Sequence, residues 1–238
     1  MKRLIYLVLW LICFILLVYL LRYPVPSLSE PSDVVMPLVG KVIVLDPGHG
    51  GVDGGADYGD VKEKSIVLNT TIFLRDYLRQ AGAEVHLTRE TDKDLAPKDM
   101  KGYSKRKAYD IRKRVDFIKH HDADIIVSLH LNSLVNERWK GGQTFYYPGD
   151  TNEALAKAIQ ERIREVTETN RQAFSTSNIY ILKKSETTGA LVELGFLSNA
   201  QERKRLLTED YQRELAFAVY QGIVEYVHGE QITSNQSN

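Results

Sequence analysis

The chain has 238 residues, 43% of them hydrophobic, and its 31 basic and 31 acidic side chains leave no formal net charge. That length and apolar content suit one large domain with a real core, and the balanced charge excludes a global field for nucleic acid. The single cysteine excludes a disulfide framework.

The first 21 residues are a separate object. Lys2 and Arg3 precede Leu4 to Leu21, a run without charge that Arg22 closes. At 1.5 Å per residue the run reaches about 27 Å, just short of a ~30 Å hydrocarbon core. It lacks the small residues of a cleavage site, so it reads as an uncleaved transmembrane anchor, with a signal segment as the alternative. Positive residues flank its N-terminal side, which places the rest of the chain outside the cytoplasm. Cys13 lies inside this segment. Residues 22–40 hold four prolines and three serines and read as a linker. The folded domain is expected over 41–230, followed by a flexible polar tail at 231–238.

Val42 to Leu45 is an unbroken apolar run that stops at Asp46-Pro47-Gly48, the pattern of a buried strand. Five glycines then surround His49, at 48, 50, 51, 54 and 55. Such a loop folds tightly and brings its backbone close to a ligand. It lacks the GxGxxG and Gly-Lys-Ser/Thr patterns of phosphate cradles, which leaves presentation of His49 to a metal or a plain tight turn.

Glu63 opens a helix with its apolar stripe at Ile66, Thr70, Phe73, Tyr77 and Leu78, ended by Gly82. Glu84 to Thr88 alternates as a strand, and 89–103 is a polar loop. Ala108, Ile111, Val115 and Ile118 mark a second helix. Asp124 to Leu131 is a second buried strand, Gln143 to Tyr147 a further one, and Leu155, Ile159, Ile163 and Val166 mark a third helix. Ile179 to Leu182 and Ala190 to Leu194 read as short strands. A last helix carries Leu215, Val219, Ile223 and Val227.

Strands alternating with helices predict an α/β domain whose mainly parallel or mixed sheet is covered on both faces. Ligands of such sheets collect beyond the carboxyl ends of the strands. His49, His130 and Glu193 follow or close strands there, and Glu63 starts a helix on the same side. Two imidazoles and a carboxylate form a recurrent zinc set with one position open, and a free carboxylate beside it can move protons. His49, Glu63 and His130 suit the ligand role and Glu193 the acid/base role. Bland alternatives stay open: Glu63 as an acid favoured in a first helical turn, His130 as a core histidine. Glu193 lies among apolar neighbours, where an unpaired carboxylate is costly.

The segments LDPGHGGVDGGA, EKSIVLN from Glu63, SLHLNS and GALVELGFLSN resemble, in order, the zinc-dependent N-acetylmuramoyl-L-alanine amidases of bacterial cell-wall turnover. The resemblance runs from about Lys41 to Tyr226. WKGGQTFY from Trp139 and the Thr169-Asn-Arg stretch are most similar to the germination-specific, spore-cortex members. Leu131 and Ser133 flank Asn132 where the family commonly has alanines.

The resemblance implies a six-stranded mixed sheet with helices on both faces. It also implies Zn2+ held by His49, Glu63 and His130, and catalysis by Glu193. Candidate substrate contacts are Asn132, Arg114, which stands in a pattern resembling the family's LxxR and otherwise serves as a brace for the loop before it, and Trp139. The implied reaction is hydrolysis of the amide between the lactyl group of muramic acid and the first alanine of the stem peptide. The implied partners are the peptidoglycan glycan strand and stem peptide, an accessory protein, and a deacetylase that converts the denuded muramic acid to a δ-lactam. The implied location is the outer face of the cytoplasmic membrane, in the forespore intermembrane space for a cortex enzyme. A zinc peptidase cutting within the stem and a non-catalytic wall-binding protein are the rivals.

Lys93 to Lys119 holds ten basic residues against four acids. It would steer an anionic glycan or face phospholipid, or simply be a solvated helix face. Arg89 has no assigned role, and His86, His120, His121 and His228 look incidental.

Overall fold

A computed structural model describes residues 2–22 and 36–236. Residues 23–35, most of the expected linker, lie outside the described residues. Two units result, and each is described by itself.

The first is helix α1, Lys2–Arg22. Its large apolar side chains, Leu4 to Tyr19, are exposed within the protein. The helix is long and apolar enough to cross a membrane.

The second unit is built on a six-stranded sheet. Its strands are β1 (Val42–Pro47), β4 (Glu84–Leu87), β5 (Ile125–Asn132), β6 (Gln143–Tyr146), β7 (Phe174–Ser175) and β8 (Thr188–Phe196). Their order is β4-β1-β5-β8-β6-β7. The pairs β4–β1, β1–β5 and β5–β8 are parallel, β8–β6 is antiparallel and β6–β7 is parallel. This is the mixed, mainly parallel sheet that the alternating pattern predicts. A separate hairpin, β2 (Asp57–Tyr58) with β3 (Val61–Lys62), joins the glycine loop to the next helix.

Helices cover both faces. On one side α2 (Glu63–Gln80), α4 (Asp150–Thr167) and α7 (Glu209–Gln236) pack on Ile43, Leu45, Val127, Leu129 and Val192. On the other, α3 (Tyr103–His120) and α5 (Tyr180–Ser185) cover Val44, Ile126 and Leu191. Consecutive strand residues point to opposite faces. Ile43 and Leu45 therefore serve one core and Val44 the other, which is why the run has no polar break.

Three boundaries differ from the sequence reading. Leu38 is fully buried and its amide donates to the Ala81 carbonyl, so the folded unit begins before residue 41. Helix α7 extends to Gln236, through residues expected to form a tail. Ile179 to Leu182 is not a strand: α5 begins at Tyr180, and Glu186 ends it with φ +59°. Ile181 and Leu182 are both buried against the α3 side of the sheet, which a helical turn permits for consecutive residues and a strand does not. The edge strand is instead β7. Helix α6 (Ala200–Leu206) is also additional, with Asn199 capping it by accepting from the amides of Gln201 and Glu202.

Candidate active site

The parallel strands β1, β5 and β8 end at one rim. His49 follows β1, His130 is on β5, and Glu63 is the first residue of α2. The structure brings these three together, each with one ligand atom within 4.8 Å of the others'. His49 Nε2 lies 3.2 Å from Glu63 Oε1, and His130 Nδ1 lies 3.0 Å from the same oxygen. The two rings meet nearly edge to face, 4.9 Å apart. Glu63 is buried and tied down, its Oε1 accepting from the Leu131 amide at 2.8 Å and its Oε2 from the Ala56 amide at 2.7 Å.

Glycine makes this convergence possible at two positions. A Cβ on Gly48 would stand 2.3 Å from His130 Cε1, and one on Gly55 would stand 2.5 Å from Glu63 Oε2. Gly55 also holds φ +72°, where a side chain is strained. His49 itself sits in the left-handed region at φ +62°.

Two buried guanidiniums hold the loop in that shape. Arg89 donates from Nε to the Pro47 carbonyl and from Nη2 to those of Gly48 and Lys64. Arg114 donates to the carbonyls of Pro47 and His49 and to the carboxylates of Asp46 and Asp110. Three consecutive carbonyls, 47 to 49, are thus held by two side chains that are each at most 2% exposed. These partners make Arg114 a brace for the loop. Burial alone would raise the Asp46 pKa, but the charge of Arg114, with hydrogen bonds from Ser128 and Thr88, holds it down at about 2.

Asp53 is a site residue that the sequence reading missed. Its Oδ2 lies 2.9 Å from His49 Nδ1, and its Oδ1 accepts from the Tyr103 hydroxyl and the Gly55 amide. Lys107 Nζ is 3.0 Å from Oδ2. With Nδ1 engaged by a carboxylate, Nε2 is the nitrogen His49 turns toward Glu63, the second-sphere arrangement typical of metal-ligating histidines. Burial by itself would lower the His49 pKa, yet Asp53 and Glu63 outweigh it and hold it up at about 9. Their own carboxyls lie well below the usual range: burial would raise both, and the two histidines outweigh it. The donor set calls for positive charge, as a metal site does.

Glu193 is paired with His130 across the β5–β8 ladder. It is half-buried, and its Oε2 is fully buried with no hydrogen-bond partner; among the described residues only Thr144 Oγ1 shares that condition. Burial, with a small push from Glu63 against the pull of His130, raises its pKa to about 7. A buried, unpartnered carboxylate demands an explanation, and a proton-transfer role beside a metal supplies one.

The remaining candidates are more peripheral. Asn132 ends β5 beyond a bulge, and its carbonyl accepts from the Leu197 amide. Trp139 is half exposed on the loop after β5, with the Arg171 guanidinium 5.1 Å from its ring centre. Within the basic stretch, Arg106, Lys107, Lys113, Arg114 and Lys119 are each ion-paired to an acid, so much of its charge is neutralised locally. Glu202, another missed residue, is buried and accepts from the amides of Gly141 and Phe196, fastening the loop after β5 to the end of β8.

Such a rim, on such a sheet, is the equipment of a metal-assisted hydrolase. The sequence matches the N-acetylmuramoyl-L-alanine amidase family over residues 43–225, and the chain belongs to that family. The germination-specific N-acetylmuramoyl-L-alanine amidase of Bacillus subtilis is 44% identical over 219 residues, covering 91% of this chain and 92% of that protein. The CwlD amidase of Clostridioides difficile, solved in complex with the GerS lipoprotein, has the same fold with a TM-score of 0.77 at 36% identity, covering 79% of this chain and 98% of that one. The catalytic domain of CwlV, an N-acetylmuramoyl-L-alanine amidase from Bacillus (Paenibacillus) polymyxa, gives 0.69 at 28% identity over 79% of this chain and 98% of that one.

Proposed function

We propose that this chain hydrolyses the amide between the muramic acid lactyl group and L-alanine in spore-cortex peptidoglycan, using a zinc ion held by His49, Glu63 and His130. The carrying observation is the convergence of those three side chains next to a carboxylate whose Oε2 has no partner. Two imidazoles and one carboxylate suit zinc with a position open for water. Bound there, the ion would polarise the lactyl carbonyl and acidify a water molecule.

The chain's own residues do the rest. Glu193 takes the proton of the attacking water and returns it to the departing alanine nitrogen. A carboxyl poised at about 7 can both accept and donate near neutral pH. Asp53 keeps the His49 proton on Nδ1, so that Nε2 stays free as a ligand. Arg89 and Arg114 fix the loop, so that His49 does not have to be ordered at each turnover.

The apolar N-terminal helix anchors the enzyme, or serves as its export signal, and the amidase domain acts on the wall side. The Clostridioides difficile relative is bound to a lipoprotein in its structure; an accessory protein of that kind is part of our reading for this chain. The bared muramic acid would pass to a deacetylase that closes the δ-lactam.

The test is digestion of cortex peptidoglycan by the purified full chain in detergent, with zinc supplied and products read by mass spectrometry. Free lactyl carboxylates and intact stem peptides with a free N-terminal alanine are expected. Shortened stems would make the chain a peptidase instead, and no release with retained wall binding would make it a binding protein.

A further inference from the structure

An open cavity of about 360 Å³ lies beside the candidate metal residues, on the α3 side of the sheet. His49 and His130 form its inner wall, and Tyr103, Lys107, Ala108 and Ile111 of α3 its outer wall. Buried Arg114, with its partners Asp46 and Asp110, also lines it, and Lys107 is its half-exposed cation. Lys107 Nζ stands 3.0 Å from Asp53 Oδ2, which stands 2.9 Å from His49 Nδ1. The ammonium is therefore two hydrogen bonds from the Nδ1 edge of the imidazole whose Nε2 faces the candidate metal position.

We propose that this cavity receives the stem peptide and that Lys107 recognises a carboxylate on its second residue. The inference rests on the amidase reading above, which places the scissile amide at the rim. Successive residues of a chain are about 3.8 Å apart, so a carboxylate one residue beyond the departing alanine stands roughly 6 Å from the scissile nitrogen, the scale of the His49–Asp53–Lys107 relay. The second stem residue of peptidoglycan is a glutamate joined through its side chain. Its α-carboxyl is left either free or amidated. Asp53 and the Tyr103 hydroxyl engage two of the three donors of the ammonium, which leaves one for the incoming anion. Ala108 and Ile111 offer apolar surface to the alanine methyl. Lys107 is in this scheme a specificity-determining residue and not a catalytic one.

A purely structural role, bracing Asp53, would affect every substrate alike, and this separates the two. The experiment uses the full chain in detergent with zinc supplied, acting on disaccharide–tripeptide fragments that carry either the free α-carboxylate or its amide. The native chain should prefer the free acid by about five- to tenfold in kcat/KM, through KM, the size of a charge-assisted hydrogen bond at a partly exposed site. Lys107→Met should collapse that ratio toward unity, and Lys107→Arg should restore most of it. Calorimetric binding of the free tripeptides, acid against amide, should show the same preference without turnover. A native chain indifferent to the amide, or a Lys107→Met variant weakened equally on both fragments, overturns the assignment and leaves the amidase reading intact. Failure to cleave either fragment, with no tripeptide binding, removes the amidase reading and this inference with it.

Discussion

Glu193 and His130 are direct partners across the β5–β8 ladder, so their side chains leave the sheet on the same face. That face is the one covered by α3. Leu191, two residues before Glu193, and Ile126, four before His130, both belong to the α3-side core, whereas Val192 and Leu129 belong to the other. Strand alternation thus delivers a carboxylate and an imidazole to one face of the sheet from neighbouring strands.

Replacing Glu193 should separate metal binding from chemistry. Glu193→Gln is expected to keep about one zinc per chain by elemental analysis while activity falls by about 10²–10⁴, the usual weight of a general base. It also predicts a stability change in the metal-free chain. Burial lifts the Glu193 pKa from 4.5 to about 7. The folded state therefore holds this proton longer than the unfolded state, and native stability falls as pH rises from about 4.5 to 7, by about 2–3 kcal/mol. In the presence of a chelator the glutamine variant should lack this slope and melt higher than the native chain at pH 8. A matching pH profile for the two would disprove the buried, unpartnered state of the carboxyl.

Asp53→Asn should weaken the metal without touching a ligand. The carboxylate at His49 Nδ1 orients the ring and raises its basicity, and loss of such partners typically costs about 10–100-fold in metal affinity. Competition with a chromophoric chelator measures this, and unaltered affinity would leave Asp53 as a mere loop brace.

Arg114→Met should be among the most destabilising single changes in the domain. It strands Asp46, 1% exposed, without its charge partner, and breaking a buried pair by removing one member costs about 3–5 kcal/mol. Adding Asp46→Asn should recover much of the loss. The same pair sets acid behaviour. The folded pKa of Asp46, about 2 against an ordinary 3.8, means its stabilising contribution is complete above about 4 and lost as pH falls toward 2. Denaturant melts across that window in native and double-variant chains check the sign.

Gly48→Ala should preserve the fold and spoil the site. The backbone there does not require glycine by its dihedrals, but the added methyl would overlap the His130 ring at 2.3 Å. Displacing His130 is expected to lower metal affinity by about tenfold or more, at an overpacking cost of about 1–3 kcal/mol. Near-native circular dichroism with lost zinc is the signature. A fully metallated alanine variant would show that His130 is free to move aside.

How much was legible in the chain follows the range of the interactions involved. Unbroken apolar runs at 42–45 and 125–127 require strands buried on both faces, helical spacing requires covering layers, and together they place His49, His130 and Glu193 at one edge. Those are patterns of a few residues, and composition alone carries them. The short segment 179–182 misled because four apolar residues suit a strand or a helical turn equally, and only contact with the α3-side core decides. Asp53 lies only four residues from His49, but their pairing depends on the left-handed backbone at His49 and on how the glycine loop folds. Also beyond reach was the joint hold of Arg89 and Arg114 on three carbonyls 41 to 67 residues away in sequence. Hydrogen bonds of that kind depend on where the closed fold brings a guanidinium or a carboxylate, and no local spacing encodes that. The candidate residues of the rim could be read along the chain; the ones that hold them in place exist as a set only in three dimensions.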